Sequence, residues 1–150
     1  MTRKEKAMQA FADGYNCAQS VVYAFEDVID IDIQTALKMA SPFGGGMGRL
    51  REVCGCVSGM FQVLGYLCGY DDPNDFESKK KLYEQVQELA GCFEKENGSI
   101  VCRDLLGLSV KKEEATPQKR TEEYYKKRPC KELVGCAAEI LETYLQVLYK

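Results

Sequence analysis

Hydrophobic positions recur at helical spacing along nearly the whole chain, and no stretch alternates as a strand does. A first helix is predicted over Arg3 to Ala12, closed by the turn signal Asp13-Gly14. Asn16 is placed to cap a second helix, on which Cys17, Val21, Ala24, Phe25 and Val28 share one face. A shorter helix follows over Ile33 to Ala40 and stops at Ser41-Pro42. Beyond a glycine-rich loop, a long central helix is expected over Arg49 to Cys68, broken by "GYDDPND". Phe76 to Glu96 is strongly amphipathic through Leu82, Tyr83, Val86, Leu89, Ala90 and Phe93, and Asn97-Gly98 stops it. A short helical turn is expected after Cys102, and Lys111 to Lys127, interrupted by Pro117, reads as a polar loop with at most a surface helix. Pro129 opens a last helix whose apolar face carries Cys130, Val134, Ala137, Leu141, Tyr144 and Leu148. The pattern is all-α, a single domain forming a bundle of about five to seven helices with a Gly-rich loop before a central buried helix.

The 150 residues, 45% of them hydrophobic, suit one core. Val53 to Tyr70 is uncharged and long enough to be tested as a membrane span. Its Gly55, Ser58, Gly59, Gln62, Gly65 and Gly69 are poor lipid-facing material, so a buried helix is expected and membrane insertion is not. The first residues contain no apolar signal segment, which points to a cytoplasmic protein. A net charge of -3 argues against nucleic acid as a partner. Stretches such as "KKEEATPQKRTEEYYKKR" interleave both signs and read as solvated surface.

Eight cysteines and no histidine change the picture more than any other feature of composition. In a reducing compartment these are not expected to be structural disulfides. The lack of histidine excludes Cys–His nucleophilic catalysis, His-assisted zinc sites and C-x-x-C-H haem attachment within the chain. Sulfur alone must carry any chemistry.

Helical geometry sorts the thiols. Cys17, Cys102 and Cys130 each stand at a predicted helix opening, where unpaired N–H groups and the macrodipole favour a thiolate. "CRDLLG" at Cys102 and "CKELVG" at Cys130 repeat one Cys–basic–acidic–Leu–aliphatic–Gly pattern. Cys54 lies at a seam between the apolar face of the central helix and its small-residue face of Gly55, Ser58 and Gly59. At about 100° per residue, Cys56 falls about 200° away from Cys54 and points elsewhere. Cys56, Cys68, Cys92 and Cys136 read as packing residues, with Cys92 on the polar side of its helix.

The ordered set "GYNCAQSV", "FGGGMGR", "CGCVSG", "CRDLLG" and "PCKELVG" resembles the small redox-active C_GCAxxG_C_C family, known for its C…CGAxxG…C…C cysteine array. The resemblance covers nearly the whole chain and assigns the four family cysteines to Cys17, Cys54, Cys102 and Cys130. Where the motif has alanine this chain has Cys56, either a further thiol at the site or a filler of the alanine's space. Its expected direction, away from Cys54, favours the filler. The family in turn resembles a domain found with split-Soret cytochromes, which implies electron transfer.

"GGGMGR" has neither the P-loop pattern nor a preceding strand, so a phosphate site is weakly supported. Gly44, Gly45 and Gly46 instead read as a wall of the cysteine site, turning tightly with N–H groups inward, and Arg49 is either a further positive charge there or a surface arginine. A plain turn and an anion site are the alternatives. Three functions follow. Cys17, Cys54, Cys102 and Cys130 would ligate an iron–sulfur cluster or a single metal ion for electron transfer. Alternatively, without a cofactor, two of them cycle a disulfide as an oxidoreductase would. The third is a non-catalytic metal-binding or structural protein. The redox readings imply a redox partner protein and leave homo-oligomerisation open.

Overall fold

The computed structural model describes residues 1–109 and 112–150, and its regular structure is helical. Six helices of seven residues or more are found among the described residues: α1 (Arg3–Ala12), α2 (Cys17–Tyr23), α3 (Ile33–Ala40), α4 (Gly55–Cys68), α5 (Phe76–Asn97) and α6 (Cys130–Leu148). Shorter turns occur at Gly44–Met47, Cys102–Leu105 and Glu122–Lys127. The polar segment expected from Lys111 begins outside the described residues. Its described remainder is loop with the one short helix Glu122–Lys127.

Local chemistry explains most boundaries. Thr2 and Asn16 each form a capping box, accepting from the N–H of Glu5 and of Gln19 while those side chains reach back. Asn16 also donates to the Ser41 carbonyl at 3.0 Å, tying the start of α2 to the loop ahead of the glycines. Gly98, with φ of 89°, closes α5. α2 stops at Tyr23, short of the face drawn to Val28, and the chain continues in turns.

The central helix starts later than its hydrophobicity suggests. Residues 49–54 are not helical, because Met47, Arg49 and Arg51 take φ of 69°, 66° and 58° among similarly left-handed glycines. Such residues cannot continue a right-handed helix. Leu50, which precedes the helix, is consequently 45% exposed.

From Gly55 onward α4 is the centre of the core. It buries Val57, Met60, Val63 and Leu64 against α2, α5 and α6. Phe11, Val21, Phe25, Leu89, Phe93, Val134 and Leu141 complete the interior. Each such side chain contributes about 1.5–3 kcal/mol on burial. No helix among the described residues is long and apolar enough to cross a membrane.

Candidate functional site: a cysteine-lined cavity

Two backbone arrangements bring the thiols together. In the first, the chain just before α4 pairs antiparallel with the chain entering the Cys102 turn, through a bridge between Val53 and Val101. The Cys54 N–H donates to the Ile100 carbonyl at 2.8 Å, and the Cys102 N–H to the Glu52 carbonyl at 2.6 Å. Cys54 and Cys102 are therefore held on adjacent strands of backbone. The glycine loop closes over them. Gly46 has φ of 65°, and a Cβ there would stand 2.5 Å from that of Cys102.

In the second, the start of α2 lies on the small face of α4. A Cβ on Gly55 would meet the Phe43 carbonyl at 2.9 Å and the Ala18 nitrogen at 3.1 Å, and one on Gly59 would meet the Ala18 carbonyl at 2.9 Å. That approach delivers Cys17, the first residue of α2, to the cysteines around the start of α4. Cys130, the first residue of α6, reaches the same place.

Cys17, Cys54, Cys102 and Cys130 line one cavity of about 420 Å³. Gly44, Gly45, Gly46 and Arg49 form part of its wall. The guanidinium of Arg49 is turned toward the following segment, donating to the Glu114 carbonyl at 2.7 Å and pairing with Glu113 at 3.4 Å.

Cys56 departs from expectation. Cys54 is the residue before α4, in extended geometry, so regular helical rotation does not separate the two. The buried Cys56 thiol interacts with both Cys17 and Cys54. It belongs to the cluster.

The electrostatics are asymmetric. The Cys17 thiol is held well below the ordinary range because the thiols of Cys130 and Cys56 hydrogen-bond to its sulfur, with Arg120 adding Coulombic support against the cost of burial. Cys130 is displaced upward, chiefly through its contact with Cys17 and then through burial. Cys56 rises mainly through burial. Cys102 also rises through burial, although Arg51 partly opposes this from 3.5 Å. Negative charge is thus favoured on Cys17 over Cys130 and Cys56.

Arg51, Arg120, Arg128 and Tyr124 line the cavity too, and sequence patterning did not single them out. Arg51 is 5% exposed and pairs with Glu113 at 2.6 Å. Arg120 lies in the stretch read as solvated surface, yet its guanidinium stacks 4.0 Å over the Phe11 ring and donates to the Phe11 and Tyr15 carbonyls. No spacing along the chain signals that reach. A cation in a charge-mixed segment looks the same whether it folds back or not.

The remaining cysteines lie elsewhere. Cys92 is exposed. Cys68 stands 3.7 Å from the Tyr149 hydroxyl. Cys136 donates to Glu96 at 3.1 Å, and burial pushes its thiol up to about 11. All eight are free thiols.

A sulfur-only donor set suits zinc or an iron–sulfur cluster in its chemistry. Among the described residues no three Cys, Asp or Glu side chains are placed to hold one ion. The thiols instead meet pairwise, Cys130 to Cys17, Cys17 to Cys56 and Cys56 to Cys54.

No curated protein and no solved structure matches the chain. One protein family does, over residues 15–144, a span that holds every thiol of the cavity. The chain belongs to the family described as "Putative redox-active protein (C_GCAxxG_C_C)".

Proposed function

We propose that this redox-active protein works as a cofactor-free dithiol, with Cys17 as the attacking thiolate and Cys130 as its disulfide partner. The observation that carries the reading is the placement of Cys17 and Cys130, each the first residue of its helix, on one cavity, where Cys130 favours the Cys17 thiolate. Low-pKa thiolates attack disulfides, and a neighbouring thiol resolves the mixed disulfide. Cys56 and Arg120 hold the charge on Cys17. A reducing compartment, the cytoplasm, keeps the resting thiols free, and a dithiol partner protein returns the oxidised pair to that state.

The test is peptide mapping after mild oxidation of the reduced protein. A single Cys17–Cys130 disulfide is expected, absent in Cys17→Ser. A different pairing, or none, overturns the reading. Electron transfer through a sulfur-ligated metal or iron–sulfur site is the competing reading, favoured by the number of thiols on one cavity. Anaerobic purification decides it. Iron or zinc in stoichiometric amount, with thiolate-to-iron bands in the iron case, would replace the dithiol reading.

A further inference from the structure

The protein is acidic overall, with a net charge of -3, yet its cysteine cavity is cationic. Arg49, Arg51, Arg120 and Arg128 line it, and no described lining residue is acidic. Arg49 and Arg51 share the single carboxylate of Glu113, just behind the wall. The other two guanidiniums have no carboxylate partner among the described residues. Arg120 is fixed by carbonyls, and Arg128 by the Gln118 amide oxygen at 2.8 Å, 5.8 Å from the Tyr124 ring centre. Neutral acceptors orient these groups without cancelling their charge, and each guanidinium keeps donors to spare. One uncancelled charge from the Arg49–Arg51–Glu113 set joins those of Arg120 and Arg128. Even with Cys17 ionised, about two positive charges remain in excess around the cavity. The volume of about 420 Å³ falls within the range of small-molecule sites.

We propose that this cavity binds a small disulfide bearing two or more anionic groups, held by Arg120 and Arg128 with its S–S bond against Cys17. The proposal rests on the dithiol reading for its chemistry and adds the substrate class. The Cys17 thiolate attacks one ligand sulfur, the ligand S–S bond breaks and the first ligand thiolate leaves. Cys130 then gives its proton to solvent, its sulfur attacks Cys17, and the second ligand thiolate departs. The protein dithiol loses two electrons to become a disulfide, and the ligand disulfide is reduced to two thiols. Arginine is suited to the binding part because its planar fork matches carboxylate and phosphate oxygens.

Two aromatic disulfides separate this proposal from the reading beneath it: dithiobis-nitrobenzoate, a dianion, and uncharged dithiodipyridine. Rates are measured by stopped flow on the reduced full chain in a Cys92→Ser, Cys136→Ser background, and expressed as the ratio of anionic to neutral reagent. The same ratio for mercaptoethanol is the reference. The cavity is expected to raise the ratio at least about tenfold above the reference, as a focusing charge does. Arg128→Gln should return it toward the reference and Arg128→Lys should retain most of the gain. If the variants do not fold, the wild-type chain still decides. Moving from about 0.01 M to about 1 M salt shortens the Debye length from about 30 Å to about 3 Å and should erase the advantage. A wild-type ratio at or below the reference overturns the anionic-ligand proposal. Mapping the neutral-reagent product addresses the dithiol reading separately, since that reading fails when no Cys17–Cys130 disulfide forms, whatever the ratio.

Discussion

Cys17 rests on Gly55: a Cβ atom on that glycine would lie 3.0 Å from the Cys17 Cβ. The contact explains why a small-residue face runs along a helix that is otherwise the centre of an apolar core. Without it α2 would stand off from α4, and its first residue would not reach the thiols around the start of α4. Close approach of two backbones places the reactive sulfur.

Gly59 extends the same contact by one turn and offers the cleaner test. A Cβ there would meet the Ala18 carbonyl and the Val21 Cβ, both at 2.9 Å. Gly59→Leu is expected to cost about 1–3 kcal/mol, as overpacking does. It should also slow Cys17–Cys130 disulfide formation under conditions where the chain stays folded. Thermal melts and peptide mapping check the pair of effects, and rapid pairing in a stably folded variant would show that α2 does not need this seat.

Cys17 should react over an unusually wide pH range. An ordinary thiol loses its thiolate as the pH falls through about 8.5. Cys17 has its pKa depressed by Cys130, Cys56 and Arg120, so its labelling rate should persist below that value and fall only through its own lower pKa. Cys130→Ala removes the leading contribution and should move the midpoint of the rate profile upward. Alkylation with a neutral reagent, followed by mass spectrometry at Cys17, measures it; an unmoved midpoint would show that Cys130 does not stabilise the thiolate.

Cys56→Ala restores the residue found in the family's motif. The fold should survive, because the change removes one sulfur from a site already walled by small residues. The Cys17 midpoint should nevertheless rise, by less than in Cys130→Ala, since Cys56 ranks second among the groups that favour the thiolate. The same alkylation profile reads the order of the two shifts.

Glu113 holds the glycine loop to the segment after the Cys102 turn through Arg49 and Arg51. Glu113→Gln leaves the buried Arg51 without its counter-charge. Denaturant unfolding should show a loss of about 1–3 kcal/mol, the range for an unsatisfied buried polar group. An unchanged midpoint would mean that Arg51 is held by its neighbours alone.

Cys92→Ser serves as the control. The side chain is exposed and away from the cavity. Stability should stay within about 0.5 kcal/mol, as at ordinary surface positions. Cys17–Cys130 pairing should be unaltered; its loss would show that Cys92 takes part in the redox chemistry.

Periodicity and caps were enough to lay out the helices, because those signals are local. The boundaries of α1 and α3, the stop at Gly98 and the opening of α6 after Pro129 follow from side chains within a few residues of each boundary. The ordered cysteine motifs likewise identified the family. Tertiary structure decided what local signals cannot reach. The stretch from Arg49 to Cys54 reads as helix, but left-handed residues and the Val53–Val101 pairing keep it out of the helix, so Cys54 and Cys56 serve one site instead of pointing apart. Arg120 looks like one more solvated cation until its carbonyl acceptors, more than a hundred residues earlier in the chain, come into place. Hydrophobic spacing records which face of an element is buried. It carries no record of which distant backbone will supply a partner, and the charge of this cavity is set by such partners.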